Sequence, residues 1–238
     1  MFNKWSQYSY REQKNKRYRV LRILIFILIL YIAYNCLTAF FVSVWVVDNN
    51  TMRPGLNEGD RLVFTSFNPP WRINNENTLP FSRGSIVLVD MRHERNQIMP
   101  LRILDGIVRF FTAQRVSIFS GRGQYHIKRV IALPGDEISM QNYVFRVKAS
   151  GNSFSLTEFE LSDKPYHPAI PQVSDLWNGS IPFSGSMDTI ILGPDECFVI
   201  SDDRSNTNDS RTWGAVSPSQ ISARALFRFW PLNKLELF

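Results

Sequence analysis

Three groups of residues in this 238-residue chain carry side chains suited to chemistry. The first is NNTMRPGL, residues 49–56, where the hydroxyl of Thr51 is followed by Met52 and by Pro54, whose ring fixes the backbone. A hydroxyl beside a proline turn is either an ordinary turn residue or a nucleophile held at a surface. The second is HIKRVIALPGD, residues 126–136. Alternate side chains of a strand share a face, so His126, Lys128, Val130 and Ala132 fall together, with Ile127, Arg129 and Ile131 opposite. Lys128 is thereby grouped with apolar neighbours, which disfavour its ammonium form and make the amine a base. Each tenfold change in its proton affinity costs about 1.4 kcal/mol. The other reading is an edge-strand lysine whose stem packs while its head reaches water. The third is SDDRSNTNDSRTWGAV, residues 201–216, with Asp202, Asp203, Arg204, Asp209 and Arg211 directly after an apolar strand. Asp203, Ser205 and Thr207 alternate as calcium ligands do, but the central Gly and closing Glu of an EF-hand loop are absent. Carboxylates and guanidinium groups that hold a loop rigid fit the pattern better.

The elements that must position these groups follow from charge and apolar patterning. The net charge of +6 resides in residues 1–22, which hold seven basic residues and one acidic, so the remainder is neutral. Outside that tail no basic patch with interleaved aromatics occurs, which argues against nucleic acid as a partner. Next comes ILIFILILYIAYNCLTAFFVSVWVV, residues 23–47, with no charged residue. About 20 apolar residues cross a bilayer at 1.5 Å per residue, so the run predicts a transmembrane anchor over residues 23–44. A cleaved signal peptide has an apolar stretch of about 7 to 15 residues and a small-x-small site, and neither is found. Basic residues on the N-terminal side predict a cytoplasmic tail over 1–22, a single pass, and an outer domain over 45–238.

Within the apolar run the first half is rich in Leu and Ile, whereas FFVSVWVV is β-branched and aromatic, as strands are. The helix is therefore expected to end near residues 40–44 and pass into a strand. Strand-like runs recur at 61–64, 85–90, 125–133, 143–147, 189–192, 197–202 and 223–230, separated by Gly, Pro, Asn and Ser. That punctuation predicts a mostly β outer domain. Residues 91–122 hold a helix-like apolar spacing (Leu101, Leu104, Ile107, Val108, Phe111), and residues 148–188 are rich in Ser, Pro and Gly. Both read as insertions. Cys36 and Cys197 have no metal-ligand spacing and read as two buried thiols, with no bridge between them.

Taken together, the three groups resemble one family. A hydroxyl-Met-x-Pro box after a membrane anchor, then KRVIALPGD, then DDRSNTNDSRTWGAV with a terminal Trp-Pro, is similar to the sequence boxes of bacterial type I signal peptidase. Thr51 and Lys128 are 77 positions apart, and Lys128 and Thr207 are 79 apart, which agrees with that family's spacing. The resemblance covers residues 42–231 and leaves out 65–84, 91–122 and 148–188. It implies a mostly β extracytoplasmic catalytic domain of antiparallel sheets behind one N-terminal transmembrane helix. The implied activity is cleavage of signal peptides from exported preproteins after small-x-small sites, with no metal and no cofactor. The implied setting is the bacterial inner membrane, with the domain on the periplasmic face, lipid as a partner and secretion machinery nearby. The resemblance gives Thr51 the nucleophile position and Lys128 the base. Thr207 falls where a hydroxyl orients the lysine, Asp209 and Arg211 where an ion pair shapes the site, and Met52 and Pro54 in the frame of the first box. Asn49 occupies the place of a small oxyanion-stabilising residue, and its amide is expected to donate there. Threonine replaces the family's usual serine, and Ser201 and Asp203 stand where Gly and Asn are usual. The alternative reading is an impaired homologue acting as a membrane binding or assembly factor. A self-cleaving repressor with a Ser/Lys pair fits less well, since the chain has a membrane anchor and no DNA-binding segment.

Overall fold

Residues 3–40, 42–66, 79–91, 125–171 and 185–238 are described by the computed structural model of the chain. Helix α1 (Asn3–Phe40) ends two residues before strand β1 (Val42–Val46). The change from Leu/Ile to β-branched and aromatic residues thus marks the boundary, and the anchor expected over 23–44 is helical only as far as residue 40. Side chains on α1 are described for residues 14–34, and the first part of that stretch carries Lys14, Lys16, Arg17, Arg19 and Arg22. Among the described residues no helix is long and apolar enough to cross a membrane. The helix belongs to one compact unit, and the strands belong to a second that begins at Val42.

In that second unit, one described sheet contains β1, β2 (Arg61–Ser66), β10 (Ile221–Trp230), β3 (Ile86–Asp90), β4 (Tyr125–Ala132) and β9 (Phe198–Ile200) in that spatial order, with β11 (Glu236–Leu237) also on β10. Every pairing is antiparallel. A second sheet has the order β7 (Leu156–Thr157), β6 (Val144–Lys148), β5 (Glu137–Gln141), β8 (Met187–Ile191). The mostly β, antiparallel domain expected from the sequence is therefore present. Strand β3 explains why its sequence is a continuous apolar run rather than an alternation. Ile86 and Leu88 enter one core cluster with Val47, Met52 and Phe64, while Val87 and Val89 enter another with Val130 and Val199. Both faces of the sheet are covered. A third cluster joins the sheets, with Ile131 and Phe198 from the first and Ile138, Phe145 and Val147 from the second.

Strand β5 was not among the expected runs. Its sequence EISMQ buries only Ile138 and Met140, and two apolar residues make too short a pattern to recognise. The LPGD turn between β4 and β5 needs Gly135 at φ +79°, where a side chain is strained. Asp136 beside it is fully buried; its carboxylate accepts from Leu133 N–H (2.8 Å) and Ser150 N–H (3.1 Å) and pairs with Arg83. The described part of the 148–188 insertion contains β7 and the short helix α2 (Glu158–Leu161), whose start is a capping box between Thr157 and Glu160. The helix expected within 91–122 lies outside the described residues.

Candidate active site

Strand β4 carries Lys128 between two antiparallel neighbours. Lys128 lies opposite Val87 of β3, and on the other side Arg129 pairs with Ile200 and Val130 with Val199 of β9. Continued by one residue, that second register sets Ser201 opposite Lys128. Lys128 Nζ donates to Ser201 Oγ at 2.8 Å, and both residues are buried, at 1% and 0% exposure. The ring of Trp213 lies 5.5 Å from Nζ and 5.1 Å from the ring of His126, so the face shared by residues 126 and 128 is closed by an aromatic. Burial lowers the pKa of Lys128 to about 8; Asp209 and Asp202 pull it back up, and Arg211 pushes it further down. Of the two readings open from the sequence, the desolvated lysine is the one observed, and the snorkelling one is not.

The loop after β9 ties the site together through three consecutive residues. Ser201 receives Lys128. Asp202 receives Arg129 in a bidentate pair, Nε–Oδ1 2.7 Å and Nη2–Oδ2 2.6 Å. The backbone N–H of Asp203 donates to the carbonyl of Thr51 at 3.0 Å. This last bond joins the first sequence group to the third, across about 150 positions of chain. Helix α3 (Ser210–Trp213) is capped by Asp209, whose carboxylate also accepts from Ser201 N–H (3.0 Å) and from Arg211 Nη2 (2.9 Å). Burial alone raises the Asp209 pKa, but the hydrogen bond and charge of Arg211, with the Ser201 and Arg211 N–H groups, outweigh it and hold the carboxyl below its ordinary value. Arg211 also donates to the carbonyls of Arg204 and Asn206, so the Asp209–Arg211 pair is tied to the backbone of the loop.

The turn bearing Thr51 is anchored in the core. Met52 and Leu56 are fully buried and joined by a Leu56 N–H to Met52 carbonyl bond of 2.8 Å, and Pro54 follows a cis peptide. Arg228 of β10 clamps the turn from below: one guanidinium nitrogen donates to the Gly55 carbonyl (2.7 Å) and to Asp60 (2.9 Å). Thr51 itself is 7% exposed. Its hydroxyl donates to Asn49 Oδ1 at 2.7 Å, and its N–H reaches the same oxygen at 3.2 Å.

Two expectations are corrected by this geometry. Asn49 presents its carbonyl to Thr51, while its amide nitrogen donates to Asp48 at 2.9 Å. The orientation is dictated by the partners, because a backbone N–H needs an acceptor and a carboxylate needs a donor. Asn49 therefore occupies the Thr51 N–H rather than donating beside it. Thr207, expected to orient the lysine, is half-buried; its carbonyl accepts from the Thr212 hydroxyl at 2.6 Å and from the Asp209 N–H at 2.8 Å, and its own hydroxyl makes no hydrogen bond among the described residues. Lys128 is held by Ser201 instead.

Sequence reasoning also missed Arg129, Arg228 and Glu158. The fully buried Arg204 donates to Glu158 at 2.6 Å, and Tyr166 donates to the same carboxylate at 2.5 Å while stacking 3.9 Å over the Arg129 guanidinium. This is the network of carboxylates and guanidinium groups expected for the third loop, extended by residues from the 148–188 segment. Arg129 lies next to Lys128 in sequence, but its partner Asp202 is 73 positions away, so no local signal paired them. Cys197 is buried and its thiol is pushed up to about 12, chiefly by burial, so it is inert. Cys36 lies outside the described side chains. Among the described residues no cluster of three or more His, Cys, Asp or Glu side chains could hold a metal.

Comparison with known proteins gives the geometry its context. The family model for signal peptidase, peptidase S26, matches residues 19–230. Signal peptidase IB of Staphylococcus aureus is 28% identical over 123 residues, covering 51% of this chain and 61% of that protein. A probable signal peptidase I-1 of Synechocystis is 32% identical over 112 residues, covering 47% of this chain and 46% of that one. The chain thus aligns with about half to three-fifths of the length of these curated relatives. The match to the family model spans nearly the whole chain, includes both Thr51 and Lys128, and runs through the loop that joins them: the chain belongs to the signal peptidase family, peptidase S26.

Proposed function

We propose that the chain is a membrane-anchored endopeptidase that removes signal peptides from exported preproteins, with Thr51 as nucleophile and Lys128 as general base. The observation that carries this reading is the buried amine of Lys128 on β4, lowered to about 8 by burial and bonded to Ser201, in the stretch 201–203 that also bonds the backbone of Thr51 through Asp203 N–H. An amine of that basicity is about one-tenth neutral at pH 7, enough to act as a base without a metal. The lone pair of Lys128 Nζ takes the proton of Thr51 Oγ1 as that oxygen bonds the scissile carbonyl carbon. The same proton then passes to the leaving amine as the C–N bond breaks, and water, deprotonated by Lys128, releases the ester. The Thr51 N–H is the first donor for the oxyanion. Asn49 Oδ1 must leave that N–H and the hydroxyl before attack, and the substrate carbonyl takes its place.

The membrane setting rests on two further observations. Apolar side chains from Ile23 to Leu30 are all exposed on α1, so no face of that stretch is polar. Such a helix requires an apolar surrounding. In the second unit Trp230, Leu232, Leu235 and Leu237 are likewise exposed. An inner-membrane anchor with a cytoplasmic N-terminus and an outer catalytic domain accounts for both.

The test is cleavage of a purified preprotein in detergent, with the new N-terminus mapped by mass spectrometry. Cleavage after a small-x-small site by the wild type, and none by Lys128→Ala, is expected. A fully active Lys128→Ala protein defeats the assignment of the base. Binding of the preprotein with no cleavage by the wild type favours the impaired homologue.

A further inference from the structure

We propose that Ser201, not Thr207, is the residue that positions Lys128 in this chain; the inference rests on the reading of Lys128 as the base. The Ser201 hydroxyl lies 2.8 Å from Nζ, and both residues are buried, where a hydrogen bond is stronger than at the surface. It lies there because of β pairing, since the register of β4 with β9 sets the two residues side by side, and directly opposed side chains lie within about 5 Å at Cβ. Its backbone is fixed in turn by the Asp209 carboxylate, at 3.0 Å from Ser201 N. The hydroxyl of Thr207 has no such place, being half-buried beyond the turn and without a partner among the described residues. The resemblance to the family puts a glycine at position 201, which has no hydroxyl to offer. The positioning group has thus moved from one end of the loop to the other.

The chemistry favours this arrangement. A neutral amine has one lone pair and two N–H bonds, and a fixed acceptor for one N–H restricts where the lone pair points. The stretch 201–203 that supplies the acceptor also holds the Thr51 carbonyl through Asp203 N–H, at 3.0 Å. Base and nucleophile are therefore located from one rigid strip of backbone, so removal of the Ser201 hydroxyl frees the amine without moving Thr51.

The experiment compares the full-length wild type, Ser201→Ala and Thr207→Ala in detergent. Preprotein cleavage is followed from pH 6 to 10, and the lysine Cε signals are titrated by NMR in the same samples. Ser201→Ala is expected to lower kcat by about 10- to 100-fold with little change in KM, the scale of a misplaced catalytic group. It should also move the rising limb of the pH profile to lower pH, because the hydrogen bond that favours the ammonium is gone. A site merely loosened and wetted moves the limb upward, toward an ordinary lysine. Thr207→Ala is expected to lose less than Ser201→Ala. Wild-type kcat and titration in Ser201→Ala, an upward limb, or a larger loss in Thr207→Ala overturns the proposal. Should the wild type itself cleave nothing, the proposed function fails and the NMR titration still decides: a downward shift confined to Ser201→Ala upholds the contact, and equal titrations in both variants remove it.

Discussion

Replacing Lys128 by Met has a consequence for folding that is independent of any substrate. The lysine is 1% exposed, and burial brings its pKa from an ordinary 10.5 to about 8. By linkage that difference corresponds to about 3 kcal/mol of stability withheld from the folded protein while the lysine is charged. The folded pKa lies below the unfolded one. Below pH 8 both states are protonated, and the folded state bears the whole penalty. Between pH 8 and pH 10.5 the folded chain releases its proton first while the unfolded chain keeps it, so stability rises with pH; above 10.5 the penalty is gone. The Met variant has no such term. It does leave the Ser201 hydroxyl without its partner, a loss of roughly 1–3 kcal/mol that does not vary with pH. The informative quantity is therefore the difference between the two proteins, measured by denaturant unfolding in detergent at pH 7, 9 and 10.5. The wild type is expected to gain about 3 kcal/mol on the variant across that range. A difference that stays flat would refute the claim that Lys128 is desolvated in the folded chain.

Further outcomes follow from the contacts around the site. Arg211 is nearly buried against Asp209, so Asp209→Asn leaves a guanidinium without its carboxylate and is expected to destabilise by about 3–5 kcal/mol, read as a fall in unfolding midpoint. Because the Asp209 carboxyl is held below its ordinary value, its contribution is complete at neutral pH and is lost as pH falls through the depressed pKa; the wild type and Asp209→Asn should converge in acid. Arg228→Met removes the clamp on Gly55 and strands the buried Asp60, and a loss of several kcal/mol with reduced kcat is expected from unfolding and cleavage assays. Asn49→Asp puts a full charge on the oxygen that faces the Thr51 N–H, opposing the oxyanion, and should slow turnover by about 10² or more.

Much of this arrangement was legible in local pattern. Lys128 stood out because a strand's alternation groups it with Val130 and Ala132, and the boundary at residue 40 was visible in the change from Leu and Ile to Val, Trp and Phe. The ion network of residues 201–211 could be read from composition. What could not be read was register. Ser201 reaches Lys128 from 73 positions away, and Arg228 reaches Gly55 from 173, through pairings of β4 with β9 and β10 with β2 that no local window contains. The resemblance pointed to Thr207 for the lysine's partner because the family's hydroxyl falls there. Strand pairing gives that place to Ser201, and the direction of the Asn49 amide depends on Asp48, a neighbour whose influence a motif does not include.

In the proposed mechanism the Thr51 oxygen forms the bond to the substrate. The most direct test of that step is the rate of preprotein cleavage by the wild type beside Thr51→Ser and Thr51→Ala. Activity in the wild type, equal or greater activity in Thr51→Ser, where the crowding methyl is gone, and none in Thr51→Ala are predicted. Cleavage by Thr51→Ala at a rate near that of the wild type would show that the Thr51 oxygen is not the nucleophile.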